Sequence, residues 1–167
     1  MKKLALITLI IALSIPAFSQ PMGLDRLFYT YRGEEGVVSL RIPGFLLRIA
    51  GSIADLDREE RQLIRSLRSV TVLTIEDNTL YQDVNFTREL DVNRLGKGYH
   101  LLMEVHDGSE DVVIAAREKN GKIRDLIVLV GGTDNVLVHV RGRMNSDLLE
   151  SLAGVTGIEE LQLTSRI

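Results

Sequence analysis

The chain has 167 residues, of which 45% are apolar, and carries a net charge of −3 with no cysteine and no tryptophan. Length and apolar share suffice for one domain with a real core, while the mild charge gives no reason to expect nucleic acid. The missing cysteine excludes disulfides, thiolate metal sites, cysteine nucleophiles and a lipid-modified cysteine, and the sparse aromatics argue against stacking platforms for bases or sugars.

Residues 1–19 read as a signal peptide. Lys2 and Lys3 form a positive start, Leu4 to Ile15 an apolar core, and Pro16 breaks the run before Ala17-Phe18-Ser19, which places small residues for cleavage after Ser19. The run is short for a membrane span, which takes about 20 apolar residues. Residues 20–167 then read as a single domain with no further apolar span. That makes the protein exported, periplasmic or extracellular, and without cysteine not a lipoprotein.

Gly23 to Arg32 sets Leu24, Leu27, Phe28 and Tyr31 at helical spacing. Gly33 stops that helix and Gly36 opens a strand, Val37 to Ile42, with Val38, Leu40 and Ile42 on one face and Ser39 and Arg41 on the other. Pro43 suits the first turn of a helix in which Leu46, Ile49, Ala50 and Ile53 repeat at the same spacing. Asp57 and Glu60 form an acidic variant of a capping box. The helix they start runs through Arg68, with Leu63, Ile64 and Leu67 inward; its other face, with Arg58, Arg61, Arg65 and Arg68, reads as a solvated face, the alternative being an anion site. Val70 to Ile75 reads as a short buried strand. Leu80 to Leu95 is predicted as a helix, with Tyr81, Val84, Val92 and Leu95 on one face and Phe86 and Leu90 off it; Gly96 and Gly98 end it.

Gly98 to Gly142 reads as four consecutive strands. In the first, Tyr99, Leu101, Met103 and Val105 alternate with His100, Glu104 and His106. Asp107-Gly108 and Asn120-Gly121 are hairpin signals, and Gly131-Gly132 separates the last two runs. A short helix capped at Asn145 or Ser146, bearing Leu148, Leu149 and Leu152, and an edge strand from Ile158 to Leu163 complete the pattern. The fold class is α+β: an antiparallel-dominated sheet containing a four-stranded meander, with helices packed mainly on one face.

No catalytic, cofactor or metal site emerges. His100, Glu104 and His106 share a strand face, but positions four and six residues apart lie about 13 and 20 Å apart along a strand. Closing them on one metal needs a sharp bulge. Gly131-Gly132-Thr133-Asp134 lacks the context and lysine of a phosphate loop, and Asp107, Glu110 and Asp111 lack the spacing of a calcium loop. No nucleophile, base and oxyanion site assemble. The second face of the meander is semi-apolar if Tyr99, Leu101, Met103, Leu126, Val128, Val130, Val136, Val138 and Val140 face the core. Its residues Leu102, Val113, Ile127, Leu129, Leu137 and His139 form a candidate partner-binding face, or one covered by a helix such as Leu24 to Tyr31.

Several stretches carry a resemblance: Gly-Val-Val-Ser-Leu-Arg-Ile-Pro at Gly36 to Pro43, Leu-Leu-Arg at Leu46 to Arg48, and Leu-Leu-Met-Glu-Val at Leu101 to Val105. The Asp107-Gly108 turn, Ile123 to Val130, and Val-His-Val-Arg-Gly at Val138 to Gly142 extend it. Together they resemble an exported Bacteroidota family, domain of unknown function 4252. That resemblance implies a cell-envelope role, with some relatives near genes for sigma factors and their regulators, and carries no activity or site residues. The combined expectation is a non-enzymatic module binding an envelope protein or itself, in envelope stress or regulation. The alternative is a hydrolase or small-ligand binder with a site near Arg117, Asp125, His139 and Arg141.

Overall fold

A computed structural model describes residues 22–75, 80–92 and 95–145. Helix α1, Met22–Tyr31, precedes strand β1, Val37–Pro43, and a helical pair, α2, Gly44–Ile53, and α3, Arg58–Ser66. Strand β2, Leu67–Ile75, is followed by a one-turn helix α4, Phe86–Glu89. The meander supplies β3, Tyr99–Asp107, β4, Glu110–Glu118, β5, Ile123–Gly132, and β6, Asn135–Met144. The six strands form one sheet in the order β1-β2-β6-β5-β4-β3, and every pairing is antiparallel. The fold is therefore α+β. The turns follow the expected chemistry, with Gly108, Asn120 and Gly121 all at positive φ. The leader (1–19), the helix expected from Asn145 to Gly154 and the strand from Ile158 to Leu163 lie outside the described residues, save Asn145 itself.

One sheet face is roofed by α1 and the segment from Tyr81 to Leu95. Leu24, Leu27 and Phe28 from α1, with Phe86, Leu90 and Leu95, close over Leu73, Ile75, Val113, Ile127, Leu129 and Leu137. This inverts the expected facing of the meander. Val128, Val130, Val136, Val138 and Val140, expected in the core, lie half-buried on the opposite face. The reason is that both faces of these strands are apolar, so alternation separates the two sets without telling which one the helices cover.

A bulge in β3 between Leu101 and Met103 corrects a second expectation. Tyr99 and Leu101 lie opposite Arg117 and Ala115, whereas Met103 and Val105 lie opposite Ile114 and Val112, on the other face. The four do not share a side. The same bulge puts His100 on the opposite face from Glu104 and His106.

The expected helix over Leu80 to Leu95 shrinks to the single turn of α4. Asn85 caps it, its Oδ1 accepting from the backbone N–H of Thr87 at 3.0 Å and of Arg88 at 3.2 Å. Leu90 is already extended, and Phe86, Leu90 and Leu95 are the buried residues of the segment among those described. Helical spacing misassigns Phe86 and Leu90 because the chain runs as an irregular strap pinned by its own anchors. The capping box is present as expected: Glu60 N–H donates to Asp57 Oδ1 and Asp57 N–H to Glu60 Oε2, both at 2.9 Å. Its helix stops at Ser66, because Leu67 already lies opposite Gly142 in the β2–β6 ladder. Among the described residues no helix is long and apolar enough to cross a membrane.

Candidate functional site

Four strands bring a row of polar residues together near one end of the sheet. Tyr99 on β3 lies opposite Arg117 on β4, Arg117 opposite Asp125 on β5, and Asp125 opposite Arg141 on β6. His139 sits two residues along β6 from Arg141, on the same face. The carboxylate of Asp125 is 2% exposed and is the hub of the row. Arg117 Nε donates to Asp125 Oδ2 at 2.8 Å, and Arg117 Nη2 makes a second contact to the same oxygen. His139 Nε2 lies 3.1 Å from Oδ1 and Arg141 Nε 3.5 Å from the same oxygen. Burial pushes the Asp125 carboxyl up, but the hydrogen bonds from His139 and Arg117 and the nearby positive charge outweigh it. The net shift is downward, so the carboxylate stays ionised at neutral pH. The Arg117 guanidinium stacks 5.3 Å from the centroid of the Tyr99 ring. Burial, aided by the Asp125 charge, raises the Tyr99 hydroxyl to about 12.

A cleft of about 220 Å³ opens beside this hub, lined by Arg68, Arg117, Lys119, Arg124, Asp125, Arg141 and Gly142. Five cations face one carboxylate there. The sequence-derived set Arg117, Asp125, His139 and Arg141 is thus brought together, with three of the four lining the cleft. Lys119 and Arg124 are additions to the expected set, and Arg68 is expected only as part of the arginine-rich helix face. Alternation places Arg124 opposite to Asp125, and Arg68 on a solvated helix face. Both instead sit at breaks in the ladder, Arg68 between Leu67 and Ser69 and Arg124 between Ile123 and Asp125. A bulge re-aims a side chain without leaving a mark in the residue pattern.

The candidate partner-binding face is corrected. Val113, Ile127, Leu129 and Leu137 are at most 5% exposed beneath α1 and the strap, and His139 is bound into the Asp125 hub. Leu102 lies apart from them, packed against the cluster of Ile114, Leu126 and Met144. The helix Leu24 to Tyr31 is the cover.

A second polar group closes the β3–β4 hairpin. His106 Nδ1 lies 2.7 Å from Asp111 Oδ1 and His106 Nε2 lies 3.2 Å from Glu104 Oε1. Asn85 Nδ2 donates to Asp111 Oδ2 at 3.2 Å. Among the described residues no group of three or more histidine or acidic side chains is placed to hold a metal ion.

A family model described as a domain of unknown function (DUF4252) matches residues 31–152. The match spans all six strands and both polar groups. No curated protein and no solved structure matches the chain.

Proposed function

Since the chain belongs to the DUF4252 family of unknown function, we propose from its geometry an exported, non-enzymatic envelope module that self-associates. The observation that carries this reading is an outward apolar surface at one edge of the sheet. On α2, Phe45, Leu46, Ile49 and Ile53 are between 46% and 83% exposed, and on β1 Val38 and Leu40 are 55% and 50% exposed. These two elements are consecutive, and β1 is an edge strand with a free ladder side among the described residues. An open edge beside an apolar stripe is a template for pairing, and a twofold axis at β1 would extend the sheet antiparallel across two copies. The leader pattern of residues 1–19 supports export. A role in envelope stress or regulation belongs to the same reading.

Light scattering on the purified protein tests this. The expected result is a dimer that Leu40→Lys and Ile49→Glu each convert to a folded monomer. A wild-type protein monomeric at every accessible concentration overturns it. Fractionation of producing cells tests export, which fails if the protein stays in the cytosol.

A second reading, a small-ligand or hydrolytic site at the Asp125 cleft, is favoured by the convergence of Arg117, Asp125, His139 and Arg141.

A further inference from the structure

We propose that the cleft bounded by Arg68, Lys119, Arg124 and Arg141 is a binding site for a tetrahedral oxyanion of the phosphate class. This rests on the second reading and gives its ligand a chemistry.

Charge comes first. Among the described residues, five cationic side chains and one carboxylate line the cleft, an excess of four positive charges. The carboxylate is already engaged by Arg117, His139 and Arg141. Arg68, Lys119 and Arg124 have no carboxylate partner among the described residues. Like charges crowded into a concave site destabilise the fold until an anion enters, and a concave basic site focuses the field that attracts one.

An unmet donor comes second. The Nε of Arg124 is buried and has no hydrogen-bond partner among the described residues. A buried N–H without an acceptor calls for a water or an ion to satisfy it. An oxyanion in the cleft supplies acceptor oxygens to this arginine, whose fork of donors suits phosphate geometry.

Pre-organisation comes third. Asp125 is a buried anchor rather than a competing ligand. It fixes the guanidinium of Arg117 through two contacts and draws in Arg141 through Nε. Side chains held in place lose less freedom when a ligand arrives. The volume of about 220 Å³ suits a small anion and falls short of the roughly 300–1,000 Å³ typical of larger organic ligands.

The chemistry is shared by inorganic phosphate and by the phosphomonoester head group of a lipid. The test is a heteronuclear NMR titration of the purified protein with inorganic phosphate at fixed ionic strength, with chloride as control. Saturable shifts at the amides of Arg68, Arg124 and Gly142 are expected. Arg124→Gln and Arg68→Gln should each weaken binding at least about tenfold, with the circular dichroism spectrum unchanged, as loss of a charge-assisted contact predicts. Absence of saturable shifts, or equal binding by wild type and Arg124→Gln, overturns the inference. Sedimentation with phosphatidic acid vesicles separates the sources. Sedimentation that phosphate competes away assigns the head group, and phosphate binding without sedimentation assigns the free ion. Sedimentation indifferent to both phosphate and Arg124→Gln overturns a discrete site. A panel of neutral sugars, nucleosides and zwitterionic amino acids separates the two levels of failure. Shifts from the panel but none from phosphate sink the anion class and keep the cleft as a ligand site, whereas silence from both sinks the second reading as well.

Discussion

The side chain of Asn135, at the start of β6, holds the backbone of Phe86 across the sheet: Asn135 Oδ1 accepts from the Phe86 N–H at 2.9 Å. Its Nδ2 donates to the Val84 carbonyl oxygen at 3.1 Å. Asn135 is fully buried, and so is the Phe86 side chain that this clamp seats in the core. One side chain therefore satisfies a donor and an acceptor of a strap that has almost no regular structure of its own. Asn135→Ala leaves both backbone groups short of a partner. The expected loss is about 2–4 kcal/mol in urea unfolding, from two unmet buried groups at about 1–3 kcal/mol each less local relaxation. A loss under about 0.5 kcal/mol would show that water replaces the clamp.

Charged substitutions separate the covered face from its surroundings. Ile127 and Leu137 are 0% and 1% exposed beneath the roof, so Ile127→Glu or Leu137→Glu buries an unpaired carboxylate. Each is expected to cost more than about 4 kcal/mol and to abolish cooperative unfolding. Leu102→Glu, at a half-buried position, should leave a folded protein with a lowered melting temperature. Native spectra from the Ile127→Glu protein would mean that the roof opens easily and that this face is accessible after all.

The strands were legible because their turns and alternation are local facts. Asp107-Gly108 and Asn120-Gly121 fixed two hairpins, and Asp57 with Glu60 fixed a helix start. What alternation does not encode is the side from which cover arrives. Val128 and Leu129 are equally good core residues until α1 is placed, and α1 is distant in the chain. The strap was missed for a related reason: its anchor, Asn135, lies about fifty residues downstream, so nothing within Leu80 to Leu95 distinguishes a clamped turn from a helix. Part of the cleft was legible, since Arg117, Asp125 and Arg141 follow from strand parity, as does His139 beside them. Arg68 and Arg124 depend on breaks in the ladders, which arise only when neighbouring strands pair.

The His106–Asp111 pair predicts a pH window. The hydrogen bond to Asp111 raises His106 above its ordinary 6.5, with Glu104 adding to the shift. The same hydrogen bond, with help from Asn85, lowers Asp111 below its ordinary 3.8. A raised histidine contributes stability that is full below 6.5 and lost as pH rises through its folded value. A lowered carboxylate contributes stability that is full above 3.8 and lost as pH falls through its folded value. The pair therefore helps most between about pH 4 and pH 6.5. Melting temperatures of wild type and His106→Gln should differ most in that window and converge above it. A constant difference from pH 4 to pH 9 would assign His106 a packing role instead.

Asp125→Asn tests the hub with a side chain of nearly unchanged shape. It removes the charge that Arg117 and Arg141 share, but their side chains are 32% and 36% exposed and can rehydrate. The cost at neutral pH is accordingly expected near about 1–3 kcal/mol, short of the full penalty for stranding a wholly buried charge. Because the folded carboxyl titrates below its ordinary 3.8, its contribution is present above that value and lost as pH falls through the folded one. Urea unfolding should show a gap between wild type and Asp125→Asn at pH 7 that narrows at pH 3. An equal gap at both would trace the effect to hydrogen-bond geometry at His139 rather than to charge.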